Sequence, residues 1–203
     1  MYILYQSQPS GNCYKVRLLL TQLNLPFTTI EVNIFKGESR TPEFLAKNPN
    51  GRIPLLALPD GTYLAESNAM LGYLSEETMY GGRDRWERAQ ILQWLFFEQY
   101  SHEPYIATSR YWRTLLGQPE QYQDQLAQKQ TPGYAALGVL ETHLQQHPFL
   151  VSDRYTIADI ALFAYTHVAD EGGFSLVEFP QIRAWIGRVQ NQPGHISIEV
   201  SDM

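Results

Sequence analysis

The stretch that most restricts what this chain can become runs from Pro49 to Leu74. Two short apolar runs, Leu55 to Leu58 and Thr62 to Ala65, flank Pro59-Asp60-Gly61. Proline presets φ, aspartate suits a turn and glycine tolerates positive φ, so the tripeptide should close an antiparallel hairpin. Glu66-Ser67 then opens a run in which Met70, Leu71 and Leu74 recur at helical spacing, with Ser67 suited to cap it. A strand thus delivers a carboxylate and a hydroxyl to a helix N-terminus. Backbone N–H groups and the positive end of the helix dipole attract a carboxylate there, while Glu66 can hold an ammonium. A ligand with an amino group and a carboxylate on one carbon, such as an amino-acid or γ-glutamyl head, satisfies both. The same two residues also read as an ordinary capped helix start. Just upstream, Ile53-Pro54 lacks one backbone donor, and a cis bond there would turn neighbouring backbone groups toward a peptide ligand.

Elsewhere in the first part of the chain, Met1 to Tyr5 reads as a strand, followed by a polar loop, Gln6 to Asn12. Val16, Leu19, Leu20 and Leu23 form the stripe of an amphipathic helix, which Asn24-Leu25-Pro26 ends. Phe27 to Val32 is a second strand, parallel to the first by a right-handed crossover. A short helical piece around Pro42 to Ala46 precedes the hairpin. The order β, α, β, α, β, β, α, closing near residue 76, is the thioredoxin-like arrangement. Glu76 to Asp84, with Gly81-Gly82, is the best linker, and everything after it reads as helix. Pro104 should break or bend one helix, and Pro132-Gly133 should interrupt another. Thr156-Ile-Ala-Asp159 is a capping box opening a buried central helix, with Asp159 as a cap. The expected division is an α/β domain over 1–78 and an all-α helical bundle over 85–203.

Composition removes several function classes. With 203 residues, 44% hydrophobic and 18% charged, the chain should be globular, and no apolar run approaches the roughly 20 residues that span a bilayer. The strand-like N-terminus has no basic region before it, which argues against a signal peptide. One cysteine gives no internal disulfide framework and fits a reducing, cytoplasmic location. The net charge of −6 and the lack of a basic stripe argue against nucleic acid. Five dispersed histidines and one cysteine show no metal-ligand spacing.

Chemistry is expected at Ser7-Gln-Pro-Ser-Gly-Asn-Cys13, just before the first helix. Redox-active thioredoxin-like proteins carry C-x-x-C here, but this chain has Ser10-Gly11-Asn12-Cys13, so a dithiol mechanism within one chain is ruled out. The Ser10 hydroxyl and the Asn12 carboxamide remain as donors for a thiolate that the ligand brings in. A hydrogen bond to a charged group contributes about 1.5–3 kcal/mol, enough to lower a thiol pKa by roughly one to two units from about 8.5. Ser10 also reads as a loop cap. Cys13 reads either as a reactive thiol or as a small residue packed under the sheet.

Taken together, Ser10-Gly-Asn-Cys-Tyr-Lys-Val-Arg17, Asn48-Pro-Asn-Gly-Arg-Ile-Pro54, Leu64-Ala-Glu-Ser67 and Thr156-Ile-Ala-Asp159 resemble the cytosolic glutathione transferases, in a bacterial, serine-type, nu-like form. The resemblance covers essentially the whole chain. It implies a homodimer and a detoxification role, with glutathione as co-substrate in the first domain and a small hydrophobic electrophile held mainly by the second. It implies that Glu66 and Ser67 bind the γ-glutamyl end, that Ile53 pairs with the cysteinyl part before a cis Pro54, and that Asn50 and Arg52 contact the glycyl or cysteinyl part. Ser10 aligns with the hydroxyl residue of the serine-type classes, and Asn12 with an asparagine of some disulfide-reducing bacterial classes. Tyr5 sits earlier than the tyrosine of the tyrosine-type classes and should line the site or pack. Cys13 lies later than the cysteine of the cysteine-type classes. His102, Tyr105 and Arg110, with Tyr100, Tyr111 and Trp112, are expected to supply part of the electrophile site, though any one of them reads equally as core. The expected activity is transfer of an alkyl or aryl group to glutathione. Glutathione-dependent disulfide or peroxide reduction at the same site, or a non-catalytic regulatory module, are the alternatives.

Overall fold

The hairpin forms where the turn residues place it. Strands β3 (Leu55–Ala57) and β4 (Tyr63–Ala65) pair antiparallel with Leu55 opposite Ala65, and Asp60 Oδ1 accepts from both the backbone N–H (2.9 Å) and the hydroxyl (2.7 Å) of Thr62. β1 (Tyr2–Gln6) pairs parallel with β2 (Phe27–Glu31) and antiparallel with β3, giving a four-stranded sheet in the order β2-β1-β3-β4. Helices α1 (Gly11–Gln22), α2 (Pro42–Leu45) and α3 (Ser67–Ser75) complete a thioredoxin-like unit. The computed structural model describes residues 1–200 and divides into two units, 1–76 with the segment from Pro193, and 77–192. The second domain was expected to run to the end of the chain, but the segment from 193 belongs with the first unit.

That segment and the start of α3 together explain why α1 departs from its amphipathic reading. Its polar residues Lys15 and Arg17 are as buried as its leucines. Arg17 donates to Gln6 Oε1 (2.6 Å), to the Gln8 carbonyl (3.1 Å) and to the Ile198 carbonyl (2.9 Å), and Tyr14 donates to the Ile196 carbonyl (2.8 Å). Chain from beyond Pro193 therefore covers the Arg17 and Tyr14 side of the helix, and its Ile198 carbonyl is one of the acceptors that meet the buried guanidinium.

The second unit is helical: α4 (Arg85–Phe97), α5 (Glu103–Arg110), α6 (Gln123–Leu144), α7 (Ile157–Thr166) and α8 (Pro180–Gln190). Pro104 does not break the chain's helical course, because it falls in the first turn of α5, where its missing N–H costs nothing, and a π-helical turn, Glu98–His102, joins α4 to α5. Pro132-Gly133 does not interrupt α6 either. A Cβ at Gly133 would lie 2.3 Å from the ring of the fully buried Phe174, so the glycine is a notch for that ring. No helix among the described residues is long and apolar enough to cross a membrane.

The capping box forms as read. Asp159, fully buried, accepts from the backbone N–H of Thr156 (2.9 Å) and Leu150 (3.0 Å) and from Trp185 Nε1 (2.9 Å). Burial pushes its carboxyl up to about 6, against the pull of these donors. At the start of the unit, Arg154 ties the Met79 and Gly81 carbonyls to Glu87. The Arg154 guanidinium, helped by the Arg83 backbone N–H and by Ser152, holds the Glu87 carboxyl down at about 2 against burial. A depressed carboxyl stabilises the fold above its usual value of 4.5, and that stabilisation is lost as the pH falls through about 2. Tryptophans 86, 94, 112 and 185 all lie within residues 77–192, so their fluorescence reports this unit. Acid unfolding followed by that fluorescence should therefore fall between pH 4.5 and 2. Arg154→Met should cost about 3–5 kcal/mol at neutral pH and flatten that acid limb; an unchanged limb would show that the pair does not set it.

Candidate functional site

Topology brings three segments to one end of the sheet. β1 and β4 both run antiparallel to β3, so their C-terminal ends coincide with its start; Tyr5 faces Leu55 in register and Leu55 faces Ala65. The loop after β1 carries Ser10, the residues before β3 are Ile53 and Pro54, and β4 leads into Glu66-Ser67. Two helices thus begin, and one peptide edge turns, at the same sheet end, the usual place for a ligand in an open α/β sheet.

Ser10 is the N-cap of α1: its Oγ accepts from the Cys13 N–H at 3.4 Å. A hydroxyl that accepts from the helix keeps its own hydrogen to donate elsewhere. Asn12 stands one turn residue away, and its Oδ1 accepts from Ser67 Oγ at 3.2 Å. With the carbonyl end turned to Ser67, the amide faces away from Ser67 with its donor end.

Ser67 is not the N-cap that the sequence made it. It is the first residue of α3, and Glu66 is the cap, with φ 70° and ψ 113° and no side-chain capping bond. Such a backbone costs a non-glycine residue about 1–3 kcal/mol. The chain turns into α3 at Glu66, whose side chain makes no capping bond to the helix start. The exposed Glu66 carboxylate stands beside them. Lys15 is completely buried beneath this start and donates to Ser67 Oγ (3.5 Å) and Asn68 Oδ1 (3.4 Å).

The third segment is shaped by Asn48, which is 4% exposed. Its amide donates to the Arg52 carbonyl (2.8 Å) and accepts from the Asn50 N–H (3.1 Å), folding residues 48–52 over its own side chain. Gly51, at φ 60°, fits because a Cβ there would stand 2.6 Å from Arg40 Nη1, which in turn holds the Asn50 carbonyl (2.9 Å). The Ile53-Pro54 bond is cis. Asn50 and Arg52 place their side chains in solvent. Sequence reading missed Asn48 and Lys15 as contributors. Asn48 stood in a quoted motif with no signal of burial, and a lysine on a helix reads as solvated.

Tyr5 packs and does not reach the first turn. Its ring meets Phe44 edge to face at 6.1 Å and Tyr63 at 6.4 Å, with the Lys47 ammonium 5.6 Å from the ring centre, and burial raises its phenol pKa. Cys13 is also settled as packing. It is wholly buried, its sulfur accepts from the Ser7 N–H (3.5 Å), and burial pushes the thiol up to about 11.

In the helical unit, the expected electrophile residues have partners of their own. His102 is fully buried with Nε2 2.9 Å from Thr166 Oγ1; since that hydroxyl donates to the Leu162 carbonyl (2.7 Å), the imidazole is the donor. Arg110 Nε lies 2.8 Å from Glu171 Oε2. The Lys129 ammonium sits 5.7 Å from the Tyr105 ring centre and 5.2 Å from that of Trp112, and Trp112 stacks on Tyr122 at 4.6 Å. Tyr100 is 84% exposed. No group of three or more residues among those described could hold a metal ion.

Comparison with known proteins gives consistent matches. Residues 9–77 match the glutathione S-transferase N-terminal domain and residues 91–193 the C-terminal domain. The chain is 32% identical to Protein URE2 of Candida albicans, covering 95% of this chain and 67% of that one. It is 30% identical to the disulfide-bond oxidoreductase YfcG of Escherichia coli, covering 91% and 88%. A glutathione S-transferase from Pseudomonas fluorescens superposes with a TM-score of 0.95 at 50% identity over 97% of this chain and 98% of that chain. Ure2p in complex with glutathione superposes with a TM-score of 0.84 at 27% identity over 95% and 90%.

At pH 7.5 a thiol of pKa about 11 is thiolate in roughly three molecules per ten thousand, against about one in ten for an unperturbed cysteine. Labelling of Cys13 by a disulfide reagent should be slower in the native protein than in urea by a factor of about 300 or more. Comparable rates would mean that this thiol is accessible and ionised.

Proposed function

The chain belongs to the glutathione S-transferase family, and from that premise we propose that it binds glutathione at the sheet end of the first unit and ionises its thiol beside Ser10 and Asn12. The thiolate then attacks a small hydrophobic electrophile. The γ-glutamyl carboxylate meets the first N–H groups of α3 and the ammonium meets Glu66, with Ser67 at the same helix start. The cysteinyl part runs along Ile53 and Pro54, and the glycyl end lies toward Asn50 and Arg52. The observation that carries this reading is the Ser67 to Asn12 hydrogen bond, which joins the head-group anchor to the turn that meets sulfur. The thiol proton leaves to water. A carbon–sulfur bond forms as the leaving group departs with its electron pair, helped by proximity and by donors already aimed at the thiolate. The electrophile is assigned to the helical unit, along Tyr100 and Tyr105, with His102 and Arg110 holding their framework.

A second reading, reduction of a disulfide or peroxide by the same thiolate, is favoured by the likeness to YfcG and by Asn12. Cys13 is too deeply buried to resolve a mixed disulfide, so a second glutathione must do so. Parallel assays of an aryl halide, a small disulfide and a hydroperoxide rank the two reactions. The functional unit is a homodimer, supported by an apolar stripe along α4 and the turn after it: Trp86, Leu92, Phe96 and Tyr100 are 70%, 51%, 69% and 84% exposed. Phe96→Glu should yield a monomer by sedimentation, and an unchanged oligomer would place the interface elsewhere.

Ser10→Ala should raise the bound thiol pKa by about one unit and lower kcat/KM with an aryl halide roughly tenfold or more, at a stability cost of about 1 kcal/mol from the lost cap. Unchanged thiol pKa and turnover would assign activation to another group. No calorimetric binding at millimolar glutathione would leave a binding module without this chemistry.

A further inference from the structure

Arg17 stands about two helical turns beyond Ser10 on α1, and its side chain runs back toward the helix start, the direction that a helical backbone favours. There the buried guanidinium meets three acceptors: Nη1 donates to Gln6 Oε1 (2.6 Å), and Nη2 to the carbonyls of Gln8 (3.1 Å) and Ile198 (2.9 Å). The exposed Glu31 carboxylate, at the end of β2, accepts from Gln6 Nε2 (2.6 Å) and from the Gln8 N–H (3.1 Å). Both polar backbone groups of Gln8 are therefore held by charged side chains from different elements. The Gln8 side chain adds a third tie, donating to the same Ile198 carbonyl at 2.8 Å. Gln6, fully buried, keys the two charges together. A guanidinium only donates and a carboxylate only accepts, so the Gln6 amide meets both in one orientation, its oxygen toward Arg17 and its NH₂ toward Glu31.

Gln8 lies two residues before Ser10, in a turn closed by the Ser10 N–H, which donates to the Ser7 carbonyl at 3.0 Å. A loop between a strand and a helix opens locally at little cost unless its backbone is tied down. A hydroxyl displaced by about 1 Å loses much of its effect on a thiolate. We propose that Arg17 is a positioning residue for the thiolate site, its guanidinium fixing the Gln8 peptide jointly with Glu31 and so holding the turn that presents Ser10 to the glutathione sulfur. This rests on the reading of the sheet end as a glutathione site. It also ties the chain beyond Pro193 to that site, because the Ile198 carbonyl receives both Arg17 and Gln8.

Arg17→Lys separates geometry from charge: it keeps the cation and loses the planar fork that serves several acceptors at once. The test is an ultraviolet thiolate titration of glutathione bound to the full chain, with affinity measured by calorimetry and the melting midpoint by circular dichroism. Arg17→Lys should raise the bound thiol pKa by about half a unit or more, a roughly threefold loss of thiolate below that pKa. The kcat with an aryl halide should fall by about the same factor, while glutathione affinity stays within about twofold, since the γ-glutamyl anchor at α3 is untouched.

A folded Arg17→Lys that melts earlier but titrates like the parent protein would make Arg17 a purely structural cation and overturn the proposal. Should Arg17→Lys fail to fold, Glu31→Ala decides. Removing a negative charge favours a nearby thiolate and by itself lowers the thiol pKa, so a raised value reports lost positioning and supports the clamp. A parental or lowered value overturns it. Failure of the glutathione reading itself would appear earlier, as a parent protein that does not bind glutathione or binds it with an unshifted thiol.

Discussion

The hydrogen bond between Ser67 and Asn12 is the contact on which the rest of the site depends. It joins two helix starts that are 55 residues apart in sequence and that nothing local would bring together. The sheet supplies the coarse placement, because β1 and β4 run the same way and end level with each other. The side-chain bond supplies the fine placement, which matters most: a donor displaced by 1 Å from a thiolate loses much of its electrostatic effect. The positive φ of Glu66 is the backbone counterpart of the same requirement. The pairing of β4 with β3 holds this less favourable conformation in place where the strand turns into α3.

Burying polar groups is the recurrent device, and the partners of several come from backbone and amide groups rather than from ion pairing alone. Arg17 is capped by carbonyls and an amide oxygen, Asn48 folds its own loop around a primary amide, and Asp159 gathers three N–H donors from separate elements of the helical unit. In a low-dielectric interior such groups cost stability when a partner is missing and specify one arrangement when all are present. That is a physical reason for a chain with modest charge content to place several charged side chains inside.

Much of the architecture was legible in the sequence. Pro59-Asp60-Gly61 predicted the hairpin, the Val16 to Leu23 stripe the first helix, and Thr156 to Asp159 the capping box, because each signal acts within a few residues. Misreadings occurred where distant chain intervened. Pro132-Gly133 read as a break until Phe174 was found filling the space over the glycine, and Ser67 read as a cap until Glu66 was seen in the left-handed region. The polar side of α1 read as solvated, but residues from beyond 193 and the start of α3 cover it.

By itself, the sequence determined which residue types stand at the two helix starts, that no second thiol is available, and that strands precede an all-helical unit, since these depend on local turn chemistry, periodicity and composition. Only the tertiary structure decided that Cys13 is a buried, packed thiol, that Tyr5 belongs to an aromatic cluster, and that Lys15 lies under Ser67. Those outcomes turn on burial and on which lone pair meets which hydrogen, quantities that exist only once segments far apart in the chain have been brought within hydrogen-bonding distance.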